Sequence, residues 1–267
     1  MRTLIFTLAV CLMAVTTGSS KPKTANKMKT IVLVHGAWLD ASSWDNVIPA
    51  LKAAGHEVIN VNLPGHGKDN TPVSAISLQS YVDAVKKAIG NRTDVILVGH
   101  SMGGLVVSET AEQIPGQINR LVYLAAFVPR NGETLLQLSG AAENKESLLG
   151  KYFRPDEKTG AGSIAKEGIR DAFVADAPDA IAKKVIDGHR PDPLVSFVTP
   201  ATLTEGNFGS VVKTYVYTID DKAIAYDLQK SMVQKNNIIK TYALPSSHTP
   251  FFSMPGVVAS ILLQESK

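Results

Sequence analysis

The sequence predicts an α/β fold: a mostly parallel central sheet flanked by helices, with a cap inserted late in the chain. Three observations carry this. Short runs rich in Val, Ile and Leu alternate with longer runs of helical period, the pattern of repeated β-α-β units. One such run, Val95-Ile96-Leu97-Val98, has no polar member, as a strand covered on both faces requires, and it stops at Gly99-His100-Ser101-Met102-Gly103. The alternation lapses between about residues 128 and 209 and then resumes, so an insertion interrupts a single domain spanning residues 30–267.

Each element has its own signal. Thr30 to Val34 reads as the first strand and runs into the loop His35-Gly36-Ala37-Trp38. Trp44 to Ala54 has helical spacing, with Ser42 or Ser43 as the cap, Gly55 as the stop, and Pro49 as a kink or irregularity. Glu57 to Val61 is the next strand, closed by Leu63-Pro64-Gly65-His66-Gly67. Ser77 caps a helix whose apolar stripe is Leu78, Tyr81, Val82, Val85 and Ile89. After the strand that ends at Gly99, residues Leu105 to Val107, Ala111 and Ile114 recur at helical spacing, and Arg120 to Ala125 forms a further strand. The inserted segment mixes Pro, Gly, Ala and charge, predicting short helices and no strong strand. Lys213 to Ile219 and Ile238 to Leu244 are strands, and a helix from about Pro255 to Leu263 closes the fold.

Composition sets bounds. The 267 residues are 45% hydrophobic and 19% charged, with net charge +3, which describes a globular protein with a sizeable core. Lys and Arg are scattered rather than gathered into a stripe with aromatics, so nucleic acid is not an implied partner. Residues 1–20 have a cationic start at Arg2, about twelve apolar residues and a small-residue exit, the form of a secretory signal peptide. That apolar run is short for a bilayer span, so a secreted or periplasmic protein with no retained membrane anchor is expected. Residues 21–29 read as a flexible polar leader. The single cysteine, Cys11, falls in the signal segment and would leave with it.

The break at Ser101 is where chemistry is expected. A serine between glycines, on a strand-to-helix turn, projects its hydroxyl beyond the sheet edge, toward the N–H groups that open the next helix. A Gly-rich turn with no chemistry gives the same five letters, so the partners decide. A serine nucleophile needs a base and an acid to orient that base, in the chain order Ser, acid, His. Asp220 and Asp221 follow one late strand and His248 follows the last, at the sheet edge where open α/β folds place ligands. Asp221 is preferred over its neighbour; Asp94 starts its strand and so lies at the wrong end. The oxyanion needs two N–H donors, for which Met102 and Ala37 are the candidates. Of the other histidines, His35 and His66 are expected to brace Gly-rich loops, His56 follows a helix, His189 lies in the cap, and His100 points away from Ser101. No metal or organic cofactor is implied. Trp38, Phe127, Phe153, Phe173, Phe197, Phe251 and Phe252 are candidates for apolar walls around a small ester, or for core.

These residues resemble the α/β-hydrolase superfamily and, within it, the branch of plant methylesterases and hydroxynitrile lyases. The likeness is carried by Val32 to Trp38, Ala53 to Val58, Val95 to Gly104, Val122 to Pro129, Asp221 to Ile224 and Ser247-His248, and it is weak in the cap. It implies Asp221 as the acid. It also separates two chemistries, because the lyases carry threonine, glutamate and lysine where Gly36, His100 and Thr249 stand here. The resemblance therefore implies an ester hydrolase acting through an acyl-enzyme. Lactone or amide cleavage, lyase activity on the same site, and a non-catalytic ligand-binding module are the alternatives.

Overall fold

The computed structural model describes residues 28–267; the expected signal peptide and the leader as far as residue 27 lie outside the described residues. In chain order the strands are β1 (Thr30–Val34), β2 (Glu57–Val61), β3 (Val95–His100), β4 (Ile118–Leu124), β5 (Phe153–Asp156), β6 (Ala161–Ile164), β7 (Asp192–Pro193), β8 (Val212–Thr218) and β9 (Lys240–Leu244). The helices are α1 (Ile48–Ala53), α2 (Leu78–Ile89), α3 (Gly103–Gln113), α4 (Leu135–Ser139), α5 (Leu149–Tyr152), α6 (Lys166–Phe173), α7 (Asp179–Asp187), α8 (Val195–Val198), α9 (Tyr226–Lys235), α10 (Pro250–Ser253) and α11 (Pro255–Glu265).

Six strands form one sheet in the order β2-β1-β3-β4-β8-β9, every pair parallel. Side chains alternate between its faces, so the apolar strands feed two cores at once. Val32, Val34, Leu97, Leu121 and Tyr123 pack against α2, α3 and α9 on one face. Ile31, Leu33, Ile96, Val98, Val122 and Leu124 pack against α1, α10 and α11 on the other. Each fully buried Leu, Ile or Val contributes about 1.5–3 kcal/mol, and β3 is buried at all of its positions, so the sheet is most firmly anchored there. From β1 the chain steps outward to β2, then crosses back over β1 to β3. The loops leaving β1 and β3 therefore diverge, opening a crevice at their carboxyl ends.

Local chemistry accounts for the ends of elements. Ser77 Oγ accepts from Ser80 N–H at 3.0 Å to cap α2, whose buried stripe is the one its spacing predicts. The helix expected over residues 44–54 is split. Asp40 caps a 3₁₀ turn at Ala41–Trp44, and α1 starts only at Ile48, with Pro49 in its first turn. A proline there loses no hydrogen bond, so it marks a start and produces no kink. Lys29, placed in the leader by composition, is tied down: its N–H reaches His56 Nδ1 at 3.2 Å and its ammonium pairs with Asp94 at 2.6 Å.

Between β4 and β8 the chain builds five short helices and, contrary to expectation, a small antiparallel sheet in the order β5-β6-β7. Pro155 and Gly162 hide these strands from a propensity reading, because pairing across the turn at Gly160 holds them rather than local preference. Ile164, Ile169, Ala172, Phe173 and Val174 give the cap a core of its own, against which Trp38 and Phe252 pack.

Candidate active site

Ser101 follows the last residue of β3 with φ +52, in the left-handed region that a non-glycine residue enters at a cost of about 1–2 kcal/mol. The strain is held on both sides. β3 is fixed in the middle of the sheet, and the Ser101 carbonyl accepts from Gly104 N–H at 3.0 Å and Phe127 N–H at 3.1 Å. The flanking glycines are there because backbone fills the space. A Cβ on Gly99 would lie 2.7 Å from Gly103 O, and one on Gly103 would lie 2.6 Å from His35 O. Ser101 is buried, with 8% of its surface left exposed.

The loops after β8 and β9 bring Asp221 and His248 together. His248 Nδ1–H donates to Asp221 Oδ2 at 2.8 Å, and both residues are buried. Asp220 is exposed, and it is Asp221 that His248 contacts. Asp221 accepts from further donors: Thr218 Oγ–H at 2.8 Å on the same oxygen, and Ala223 N–H at 2.7 Å and Ile224 N–H at 2.8 Å on the other. The far ring nitrogen of His248, Nε2, is buried and makes no hydrogen bond, to Ser101 or to any other described residue.

The loop after β1 lies against the elbow. A Cβ on Gly36 would sit 2.6 Å from Ser101 Cβ, so the two backbones touch. Among the described residues the amides of Ala37 and Met102 donate to no protein acceptor. His35 fixes this loop: its Nδ1–H donates to Gly36 O at 2.8 Å, while Nε2 accepts from Leu63 N–H at 3.1 Å. Burial, and then the neighbouring His66, push its pKa down to about 3, so His35 is the neutral tautomer that this bridge needs.

Comparison with known proteins agrees with this fold. The model of the alpha/beta hydrolase family matches residues 31–261. The chain belongs to that family. It is 30% identical to the provisionally named chloroplastic methylesterase 11 of Arabidopsis thaliana, over 87% of this chain and 63% of that protein, so it spans less than two thirds of that relative's length. It is 28% identical to a pyrethroid hydrolase of Sphingobium wenxiniae, over 87% of this chain and 85% of that one. Among solved structures, an extracellular alpha/beta-hydrolase from a Paenibacillus species, described as sharing structural and functional homology with tobacco salicylic acid binding protein 2, superposes with TM-score 0.77 at 25% identity, covering 88% of this chain and 98% of that one.

Within this alpha/beta hydrolase the remaining histidines fill supporting positions. His100 Nε2–H donates to the His248 carbonyl at 2.9 Å, and burial followed by the nearby His248 holds His100 well below the usual histidine range. His66 donates through Nδ1 to Pro64 O at 3.0 Å and through Nε2 to Asp192 of β7 at 2.8 Å. Burial opposes its charge, but Asp192 and these bonds outweigh burial and raise its pKa. Thr249 is buried, with its hydroxyl on Phe173 O at 2.6 Å, and Asp176 of the cap takes the Ser247 hydroxyl and its N–H. The sequence reading misses Thr218, Asp176 and Asp192, since none has a motif. The aromatic candidates divide: Trp38 meets Phe153, Phe173 and Phe197 at 6.2, 5.7 and 5.5 Å, whereas Phe251 packs on Trp44 at 4.9 Å within the core. Among the described residues no three His, Cys, Asp or Glu side chains cluster as metal ligands would, and no helix is long and apolar enough to cross a membrane.

Proposed function

We propose that this alpha/beta hydrolase is a serine carboxylesterase in which Ser101, His248 and Asp221 act as nucleophile, base and orienting acid. The observation that carries the reading is the buried Asp221–His248 bond, with a strained serine presented at the end of β3 on the same edge of the sheet. Asp221 keeps the His248 proton on Nδ1, leaving the Nε2 lone pair as the base. The reading requires Ser101 Oγ to rotate within hydrogen-bond reach of Nε2. Nε2 takes the serine proton as Oγ attacks the ester carbonyl, and the N–H groups of Ala37 and Met102 receive the oxyanion, each worth about 3–4 kcal/mol in the transition state. Collapse expels the alcohol, which takes its proton from Nε2. A water deprotonated by the same nitrogen then hydrolyses the acyl-enzyme.

Small esters with an apolar or aromatic portion suit the surface formed by Trp38, Phe153, Phe173 and Phe197. The methylesterase and pyrethroid-hydrolase relatives support ester substrates. Cyanohydrin cleavage is disfavoured: Thr249, where the lyases have a lysine, is neutral and bonded to Phe173 O. Residues 1–20 are proposed to direct secretion or periplasmic export, and an intact N-terminus on the mature protein would refute this. The catalytic reading is tested with p-nitrophenyl acetate and a fluorophosphonate probe. Turnover and labelling at Ser101, both abolished in Ser101→Ala, are expected; no turnover and no labelling of the native protein would leave a ligand-binding module.

A further inference from the structure

Asp192 is a cap residue with 1% of its surface exposed, and both of its bonds leave the cap. One carboxylate oxygen accepts from Trp38 N–H at 2.6 Å and from His66 Nε2–H at 2.8 Å, while the other is buried without a partner. Such a carboxylate is an expensive way to seat a cap, since a well-packed apolar side chain would do it without desolvating a charge. What an apolar side chain cannot do is accept the Trp38 N–H.

The value of that bond follows from where Trp38 lies. Its neighbour Ala37 supplies one of the two proposed oxyanion amides, and the direction of an N–H is set by the rotation of the peptide planes around it. The plane before Ala37 is held by His35 Nδ1–H on Gly36 O at 2.8 Å. The plane after it is held by Asp192. Trp38 itself sits at φ +58, a left-handed conformation that surroundings must impose on a tryptophan. The cap imposes it from two register partners of its small sheet. Gly162 and Asp192 pair across β6 and β7, and Gly162 O accepts the Trp38 indole N–H at 2.9 Å while Asp192 takes the backbone N–H.

We propose that Asp192 is a positioning residue that couples seating of the cap to the aim of the Ala37 amide, so that the oxyanion site is complete only under a docked cap. This rests on the esterase reading and extends it: the cap is part of the machinery as well as the wall of the substrate site.

The test compares native protein with Asp192→Ala, Asp192→Leu and Asp192→Asn. Rates on p-nitrophenyl acetate are normalised to fluorophosphonate-titrated sites, and inhibition by a trifluoromethyl ketone, whose adduct carries an oxyanion, is measured alongside. Removal of the acceptor is expected to lower kcat at least about tenfold, with KM changed less than about threefold and ketone affinity falling in step with kcat. Asp192→Asn, which keeps an oxygen acceptor, should recover most of the loss. A leucine or alanine variant with native kcat per titrated site, or one that loses only thermal stability or KM while ketone affinity is kept, overturns the proposal. Failure of all three variants to fold would assign Asp192 to cap folding alone and also overturn it. Inactivity of the native protein would instead refute the esterase reading.

Discussion

On the proposed esterase reading, Asp221→Asn separates the catalytic from the structural work of one carboxylate. In the native protein one oxygen serves the Ala223 and Ile224 amides and the other serves Thr218 Oγ and His248 Nδ1. Asparagine can keep its oxygen on the two amides, which retains the bonds whose loss would cost about 1–3 kcal/mol for each orphaned buried group. Its NH₂ then faces Nδ1 and must donate to it, so the imidazole proton moves to Nε2 and the base loses its lone pair. A wrong tautomer of this kind costs about 10⁴ in kcat, or about 5.4 kcal/mol in the transition state. Asp221→Ala should lose that activity and also about 2–6 kcal/mol of stability, because both amides are orphaned. Ester hydrolysis measured with thermal unfolding distinguishes the two variants. An asparagine variant with more than about a tenth of native kcat, or an alanine variant as stable as native, would refute this account of Asp221.

Three further outcomes follow from other parts of the site. Ser101→Gly is expected to melt about 1–4 °C above Ser101→Ala, since relief of the positive φ outweighs the extra freedom of unfolded glycine; equal melting temperatures would mean the elbow stores no strain. Gly36→Ala would place a Cβ 2.6 Å from Ser101 Cβ and 2.8 Å from His100 Nδ1, so kcat should fall at least about tenfold, and full ester turnover would show that the loop yields freely. For pH, the groups facing His66 are His35, Tyr81, Asp69 and Asp192. Its pKa is raised above 6.5, so its stabilisation is full below that value and is lost as pH rises through the folded pKa. His35 and His100, lowered by burial, act on the opposite side and erode stability as pH falls below 6.5. Thermal unfolding should therefore show a maximum near pH 6.5, and His66→Asn should flatten only its alkaline limb; an unchanged alkaline limb would refute the assignment.

Much of this protein is written in short-range pattern. Apolar runs such as Val95 to Val98 can only be strands covered on both faces, the stripe from Leu78 to Ile89 can only be a helix on that sheet, and glycines around Ser101 mark a turn with no room for side chains. These follow from neighbours within a few positions, where periodicity and sterics act. That Ser101, Asp221 and His248 each follow a strand of the large sheet was likewise readable, and strand ends collect on one edge of a parallel sheet. What the chain could not express locally are bonds between distant segments. Asp220 and Asp221 are one residue type side by side, and the physical difference between them, burial against His248 and the Ala223 and Ile224 amides, exists only in the folded chain. The cap strands have weak local preference and exist through pairing. Asp192 meets Trp38 across 154 positions and His66 across 126, separations at which no pattern of neighbouring residues carries information, so tertiary packing alone brought the cap and the loop after β1 together.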